Sequence, residues 1–477
     1  MHILTGYRKT IQIQFNRWKV PLLRAAIVLG VLALSAGIGY KATRMQALLV
    51  LGAVVGLGGI IVLLQWPALT LFLILGTGFF IRFELENGLN AAVGMVVLLI
   101  GLWIAKMFIA DRQIQLVPSR TNIPIFTFIT LSLVSFGIGI LPLVPFSAPA
   151  ELTAQTGGMA IFVLSALAFL AVANFIDERW LEWFMWAFIL IGALYMTARI
   201  ASWQGIRFRR PFAPGATRNS MFWVWLVAMV FGQFYFNNRL HWGIRGALGI
   251  LLIATLFIAY VLSNNWKSGW VPAIVVIIAL LGFRYWKISL ILAPLGLVTA
   301  LVVTTILIGT DEYSWGTRLD AWIIVLEISK VSPIFGLGFA NYYWYSRYFP
   351  IRGWFVPFNS HSQYVDVIAQ TGILGLLSFL WIFWAVGKLG WDLRNKVNDG
   401  FEYAYVYSIL GGIVGTLVAA ALADWVLPFA YNIGLSGFRS SIIAWIFMGG
   451  LVVIEQRVAR AAHLQASPMS GDIPVQP

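Results

Sequence analysis

The sequence predicts an all-α, polytopic integral membrane protein with about 12–14 transmembrane helices and one large helical loop outside the bilayer. Three observations carry this. The 477 residues are 60% hydrophobic and only 10% charged, with mean hydropathy +0.86, whereas a soluble chain has about 25% charged residues to cover a water-facing surface. Apolar stretches of span length recur along most of the chain. Between them lies a single long segment, 309–370, that is too rich in aromatic residues to be a polar linker. Soluble enzymes, disordered scaffolds and secreted disulfide frameworks are excluded. The absence of Cys also excludes disulfides, thiolate metal sites and cysteine nucleophiles.

A span needs about 20 apolar residues. Windows fall at 25–39, 46–64, 67–81, 89–109, 122–141, 157–175, 181–199, 220–236, 244–262, 269–283, 288–308, 371–388, 404–424 and 436–454. Three of them, 25–39, 67–81 and 269–283, are short. Arg8, Lys9, Arg17, Lys19 and Arg24 lead into the first window without a convincing cleavage site, so no cleavable signal peptide is expected. Four regions follow: helices in 1–198, helices with a basic outer loop (199–219) in 199–308, the large loop 309–370, and helices with a cytoplasmic tail in 371–477.

The chain carries 32 basic and 18 acidic residues, a net charge of +14. Placing the basic start in the cytoplasm fixes the side of every other loop by alternation. A surplus of basic residues then stays outside, against the positive-inside rule. Most of it sits in two segments: Arg199, Arg207, Arg209, Arg210 and Arg218 in 199–219, and Arg318, Lys330, Arg347 and Arg352 in 309–370. Two readings fit. One is an outward-facing anion site, since the planar guanidinium fork donates in pairs to phosphate. The other is contact with lipid headgroups.

Within the long loop, Trp322, Val325, Leu326 and Ser329 share one helical face, with Arg318 a turn before Trp322. Pro333 ends that helix, and Gly336 and Gly338 make a tight turn. The aromatic run from Tyr342 to Phe358 suits a membrane-interface belt and sugar stacking equally. Asn359-Ser360-His361-Ser362 then precedes a helix containing Gly372 and Gly375. Of the four histidines, His2 and His463 lie in the tails and His241 in a short cytoplasmic loop, so only His361 is external. A His can accept a proton near neutral pH, and nearby positive charge would lower its pKa and favour the neutral base. Asp424, at the outer end of a span, either orients His361 or binds a sugar hydroxyl, or else is an interfacial residue in water. Glu84 and Glu86 read as a solvated outer turn. Asp311, Glu312, Asp320 and Glu327 lack a metal-ligand spacing, so no metal is expected.

The ordered set Arg318, Trp322, Pro333, Gly336-x-Gly338, Asn341, His361-Ser362-Gln363-Tyr364 and Gly372-x-x-Gly375 resembles the hallmark region of the O-antigen ligase/O-antigen polymerase superfamily, which also includes bacterial O-oligosaccharyltransferases. The resemblance covers roughly 200–390. It implies a GT-C-like helical fold and transfer of glycan from undecaprenyl pyrophosphate on the periplasmic face of the bacterial inner membrane. The acceptor is the lipid A core for a ligase, a growing glycan for a polymerase, or a protein hydroxyl. It further implies a loop His and outer arginines as functional residues, here His361 and Arg318, with no cofactor, no metal and no nucleic-acid partner. Residues 1–198 would then supply scaffold and a groove for the lipid tail. One departure stands out. Where many members carry a Ser-Arg-Gly-like element, this chain has Ser263 to Gly269 with Lys267, a point charge without the bidentate fork.

The expected mechanism is a single inverting displacement. His361 takes the proton of the acceptor hydroxyl, and Arg318, helped by Arg210, Arg218 and Lys267, neutralises the departing pyrophosphate. Asp424, Tyr364 and Asn341 support the site. Ligase stands slightly ahead of polymerase. A transporter or flippase of an anionic lipid would call for inverted repeats and charges at midplane depth, and neither is visible.

Overall fold

The computed structural model describes residues 56, 58–85, 88–206, 212–213, 215–263, 266–291 and 312–466. The chain divides into two compact units, 1–67 and 68–477. The described part of the first is a helical segment over 58–65. The second holds all the features that follow.

Its helices are α1 (Leu69–Phe80), α2 (Ala91–Ala105), α3 (Asn122–Gly139), α4 (Leu152–Phe175), α5 (Glu178–Trp203), α6 (Ser220–Phe236), α7 (Trp242–Phe257), α8 (Lys267–Arg284), α9 (Glu312–Ser329), α10 (Asn341–Ser346), α11 (Gln363–Leu393), α12 (Phe401–Leu422) and α13 (Gly434–Ala466). Wider π-turns extend α2 over Lys106–Ala110 and α7 over Ile258–Leu262. Short polar residues start several helices by accepting from otherwise orphaned amides. Asn90 accepts from the N–H of Ala92 at 3.1 Å, Asp177 from Trp180 at 3.1 Å and Asn219 from Met221 at 2.8 Å.

Among the described residues, nine helices are long and apolar enough to cross a membrane, and α1 and α6 are shorter apolar helices. The fold is therefore an all-α, multi-pass membrane architecture, as the hydropathy predicts. Every window from 67–81 to 269–283, and each after 371, coincides with a helix. The window 25–39 and most of 46–64 and 288–308 lie outside the described residues. α13 runs through the centre, buried throughout its apolar stretch and packed against α4, α6 and α12. Close approach there uses small residues: a Cβ on Gly449 would lie 2.6 Å from the carbonyl oxygen of Phe169.

Charged side chains gather at two ends of the helix bundle. At one end Arg120 pairs with Asp392 at 3.0 Å, and Arg457 with Glu178 at 2.9 Å and with Glu402. At the other end Arg82, Arg199 and Arg218 converge on one cavity.

The large loop folds onto α11. α9 ends at Ser329, and the segment 333–338 then runs alongside a break in α11 at Gly372, whose φ of 70° and ψ of −174° are open only to glycine. Breaking a helix frees backbone groups that the apolar interior cannot satisfy. Here the N–H groups of Leu337 and Gly338 donate to the carbonyls of Ala369 and Gln370 (2.8 and 3.1 Å). The N–H of Ile373 donates to Pro333 O at 2.9 Å. Gly336 and Gly338 are required by this contact as well as by their φ values of 78° and 81°. A Cβ on Gly336 would sit 2.4 Å from the Gln370 carbonyl carbon, and one on Gly338 2.1 Å from Gly139 Cα. A small second core of Val144, Val325, Ile328, Leu337, Tyr342, Tyr345, Val365, Ala369 and Phe429 holds the loop down.

Gly372→Ala places a Cβ 2.2 Å from Ile334 O in a forbidden conformation, and is expected to cost more than about 3 kcal/mol. Gly387→Ala, in the same helix with open space around it, is expected to be neutral or stabilising. Thermal unfolding of both variants in detergent checks the contrast.

Candidate active site in the large loop

α11 begins at Gln363 with Ser362 as its N-cap, so His361 lies one residue before the cap. It adopts φ 50°, unusual for a residue with a side chain. That conformation is held by neighbours. The Asn359 side chain accepts from the His361 N–H at 3.1 Å, and Phe358 packs edge-on against the imidazole at 5.6 Å. Ser360 is fully buried and donates to Asp366 at 2.6 Å, while its oxygen accepts from the Ser362 N–H at 3.1 Å. Tyr342 of α10 donates to the same Asp366 carboxylate, and Trp322 of α9 donates to Ser360 O at 2.7 Å. The turn 359–362 is thus clamped by α9, α10 and the first turn of α11. Burial, reinforced by the Asp366 charge, pushes the Tyr342 hydroxyl well above the usual phenol range and keeps it a donor.

His361 itself is half-buried and feels two opposite charges. Burial lowers its pKa most, the Asp424 carboxylate raises it, and the Arg318 guanidinium lowers it. Asp424 is fully buried, and its carboxylate accepts from the Phe429 N–H at 2.9 Å and the Asn432 side chain at 2.8 Å. Arg318 reaches Leu422 O at 3.5 Å and lies over the Trp315 ring at 5.4 Å. The structure therefore brings together three of the residues singled out in the sequence, His361, Arg318 and Asp424.

Two others serve packing. Asn341 is fully buried and ties three segments, donating to Gly139 O at 2.9 Å and Leu337 O at 2.7 Å and accepting from the Ala150 N–H at 2.7 Å. Tyr364 donates to Leu417 O at 2.7 Å, bracing α11 against α12. Arg210, with Arg207 and Arg209, lies outside the described residues, and Lys267 is an exposed first residue of α8. The aromatic run divides. Tyr342 and Tyr345 are buried, Tyr343 and Trp344 pack on Tyr431 (4.8 and 5.6 Å), and Trp354 and Phe355 are exposed at the tip of a turn.

A cavity of about 760 Å³ opens at the same end, lined by Arg82, Arg199 and Arg218 among the aromatic rings of Tyr195, Trp223 and Trp266. Arg199 reaches Ser263 at 3.5 Å, so a guanidinium from α5 stands at the segment where the sequence has Lys267. Trp266 meets Trp425 edge-on at 5.8 Å, and Trp425 follows Asp424. Asn219, next to Arg218, donates to Trp425 O at 3.1 Å. Trp425 thus links the basic cavity to Asp424, whose charge acts on His361.

Several residues here were not singled out in the sequence. Asp366 sits one turn into α11, where the spacing Ser362-x-x-x-Asp366 marks a first-turn carboxylate that favours the positive end of the helix. Arg439 is buried in α13 and donates to Ile81 O at 2.7 Å, Phe83 O at 3.1 Å and Thr77 O at 3.3 Å. It also lies 3.5 Å from Glu84. The turn holding Glu84 is therefore not simply solvated, as the sequence suggested. It is anchored from the centre of the bundle. Tyr342→Phe is expected to cost about 1–3 kcal/mol by leaving Asp366 short of a buried donor, and to show it in urea or thermal unfolding.

No curated protein sequence matches the chain. Residues 215–380, running from the rim of the basic cavity through the loop and the break in α11, match the family model described as O-antigen ligase. This match supports membership of the O-antigen ligase/polymerase superfamily.

Proposed function

We propose that this glycan-transferring membrane enzyme moves glycan from undecaprenyl pyrophosphate to an acceptor hydroxyl by one inverting, metal-independent displacement on the periplasmic face of a bacterial inner membrane. Lipid A core is the favoured acceptor. The observation that carries the reading is the placement of His361 between the charges of Arg318 and Asp424, beside a cavity walled by three further arginines.

In this mechanism the acceptor O–H attacks the anomeric carbon as His361 accepts its proton. The bond from that carbon to the pyrophosphate oxygen breaks, and the lipid pyrophosphate leaves with the electron pair. It is already a good leaving group, so the larger contribution comes from fixed cations where negative charge grows. Arg318 fills that role nearest His361, and Arg82, Arg199 and Arg218 receive the diphosphate in the adjoining cavity. Arg210, which lies outside the described residues, and Lys267 are further helpers in this reading. Asp424 holds the imidazole's charge balance, and its own position is fixed by Asn432 and the Phe429 amide. Asn341 and Tyr364 support the site by bracing the loop and α11.

Transfer by the purified full-length protein, supplied with undecaprenyl-pyrophosphate glycan and either lipid A core or glycan acceptor in EDTA, tests this. His361→Ala is expected to lower kcat by about 10²–10⁴-fold, and Arg318→Ala by about 10²–10³-fold, in folded variants. Unchanged rates would overturn the residue roles, and a requirement for a divalent ion would overturn the metal-free step.

The pH profile gives a second check. A base must be neutral, so activity falls as pH drops through the depressed pKa of His361. Arg318→Gln removes a lowering influence and should move this acid limb to higher pH. Asp424→Asn removes a raising influence and should move it lower. Displacements of the same sign, or none, would show that another group sets the limb.

A further inference from the structure

A second cavity, of about 560 Å³, lies beside the basic one and differs from it in charge. Its polar lining comes from Glu84, Glu151, Thr153, Tyr431, Asn432 and Ser436, while the arginine cavity has no carboxylate among its described lining residues. Ile433 lines both and separates them. The volume lies in the ~300–1,000 Å³ range of small-molecule sites.

The walls are built. Glu84 is anchored by Arg439 at 3.5 Å and accepts from the Ser436 hydroxyl at 3.2 Å. The Tyr431 ring is fixed by stacking on Tyr343 at 4.8 Å, and its hydroxyl accepts from the Trp344 indole at 2.7 Å. Glu151 accepts from Thr153 at 3.5 Å. At Gly157, on the α4 wall, a Cβ would meet nothing closer than Leu435 Cδ1 at 3.9 Å, so the space there is unfilled. The floor leads to the reaction centre, because Asn432 is the side chain that donates to Asp424.

Carboxylates, hydroxyls and a fixed aromatic ring offer acceptors and an apolar face to a polyhydroxylated ring. The same carboxylates repel phosphate. We infer that the Glu84/Glu151 cavity is a glycan subsite that takes uncharged, phosphate-free pyranose units next to the reacting hydroxyl. The reading rests on the glycan-transfer function above. It adds a division of labour, with the charged end of the lipid-linked donor in the arginine cavity and neutral sugar in the acidic one.

Glu151→Gln and Gly157→Leu test the inference in the full-length protein, with KM measured separately for the donor and the acceptor that the wild type turns over. Gly157→Leu is expected to raise one glycan KM about 10-fold or more, and Glu151→Gln about 5-fold, with kcat within about twofold. A rise in acceptor KM assigns the cavity to the acceptor; a rise in donor KM assigns it to the sugars of the donor. Both KM values unchanged in both variants would overturn the subsite while leaving glycan transfer intact. Should Gly157→Leu fail to fold, the exposed Glu151→Gln decides alone. If the wild type transfers no glycan, the transfer reading itself fails, and this inference falls with it.

Discussion

A helix interrupted inside an apolar bundle must have its freed backbone groups satisfied by protein, and the break at Gly372 is the constraint on which the rest of the site depends. The segment Pro333 to Gly338 meets it by lying along the break and exchanging backbone hydrogen bonds with residues 369–374. This is possible only because Gly336, Gly338, Gly372 and Gly139 leave no Cβ in the way. With the large loop fixed at that seam, α10 is delivered to the start of α11. Tyr342 can then reach Asp366, and the turn carrying His361 is held. The glycines at the break and the histidine at the site are parts of one construction.

The electrostatics follow from the same placement. Burial lowers the pKa of His361, and the opposed charges of Asp424 and Arg318 set how far. The carboxylate is tied down by the Asn432 side chain and the Phe429 amide, and the guanidinium by Leu422 O and the Trp315 ring. Both charges are thus held in place by protein, the condition under which fixed charges act most strongly. The lipid-facing helices contribute mainly shape and depth, and the ionisable groups collect at the two ends of the bundle.

Much of this was legible in the sequence, for identifiable reasons. Spans are read from hydropathy because the bilayer demands continuous apolar length, and α9 from a helical face ending at Pro333. His361 and Arg318 stood out in the long loop, and Asp424 at the end of an apolar segment. Other features depend on pairs far apart in the chain, which no local pattern carries. Arg439 meets Ile81, Phe83 and Glu84 across 355 to 358 positions, and Arg199 meets Ser263 across 64. The turn at Gly336 and Gly338 was visible, but its partner at Gly372 was not, because the match lies between backbones. Asn341 and Tyr364 show the converse: both belong to the recognisable motif, and both spend their hydrogen bonds on packing.

Arg439 gives the two cavities a common mechanical support. Its guanidinium grips the carbonyls of Ile81 and Phe83, and between and beyond them Arg82 enters the basic cavity while Glu84 enters the acidic one. The strip 81–84 is therefore a short lever with one end in each cavity and its fulcrum in the core. Were a bound molecule to shift one end of this strip, it would alter the free energy of filling the other cavity, and such coupling would be reciprocal.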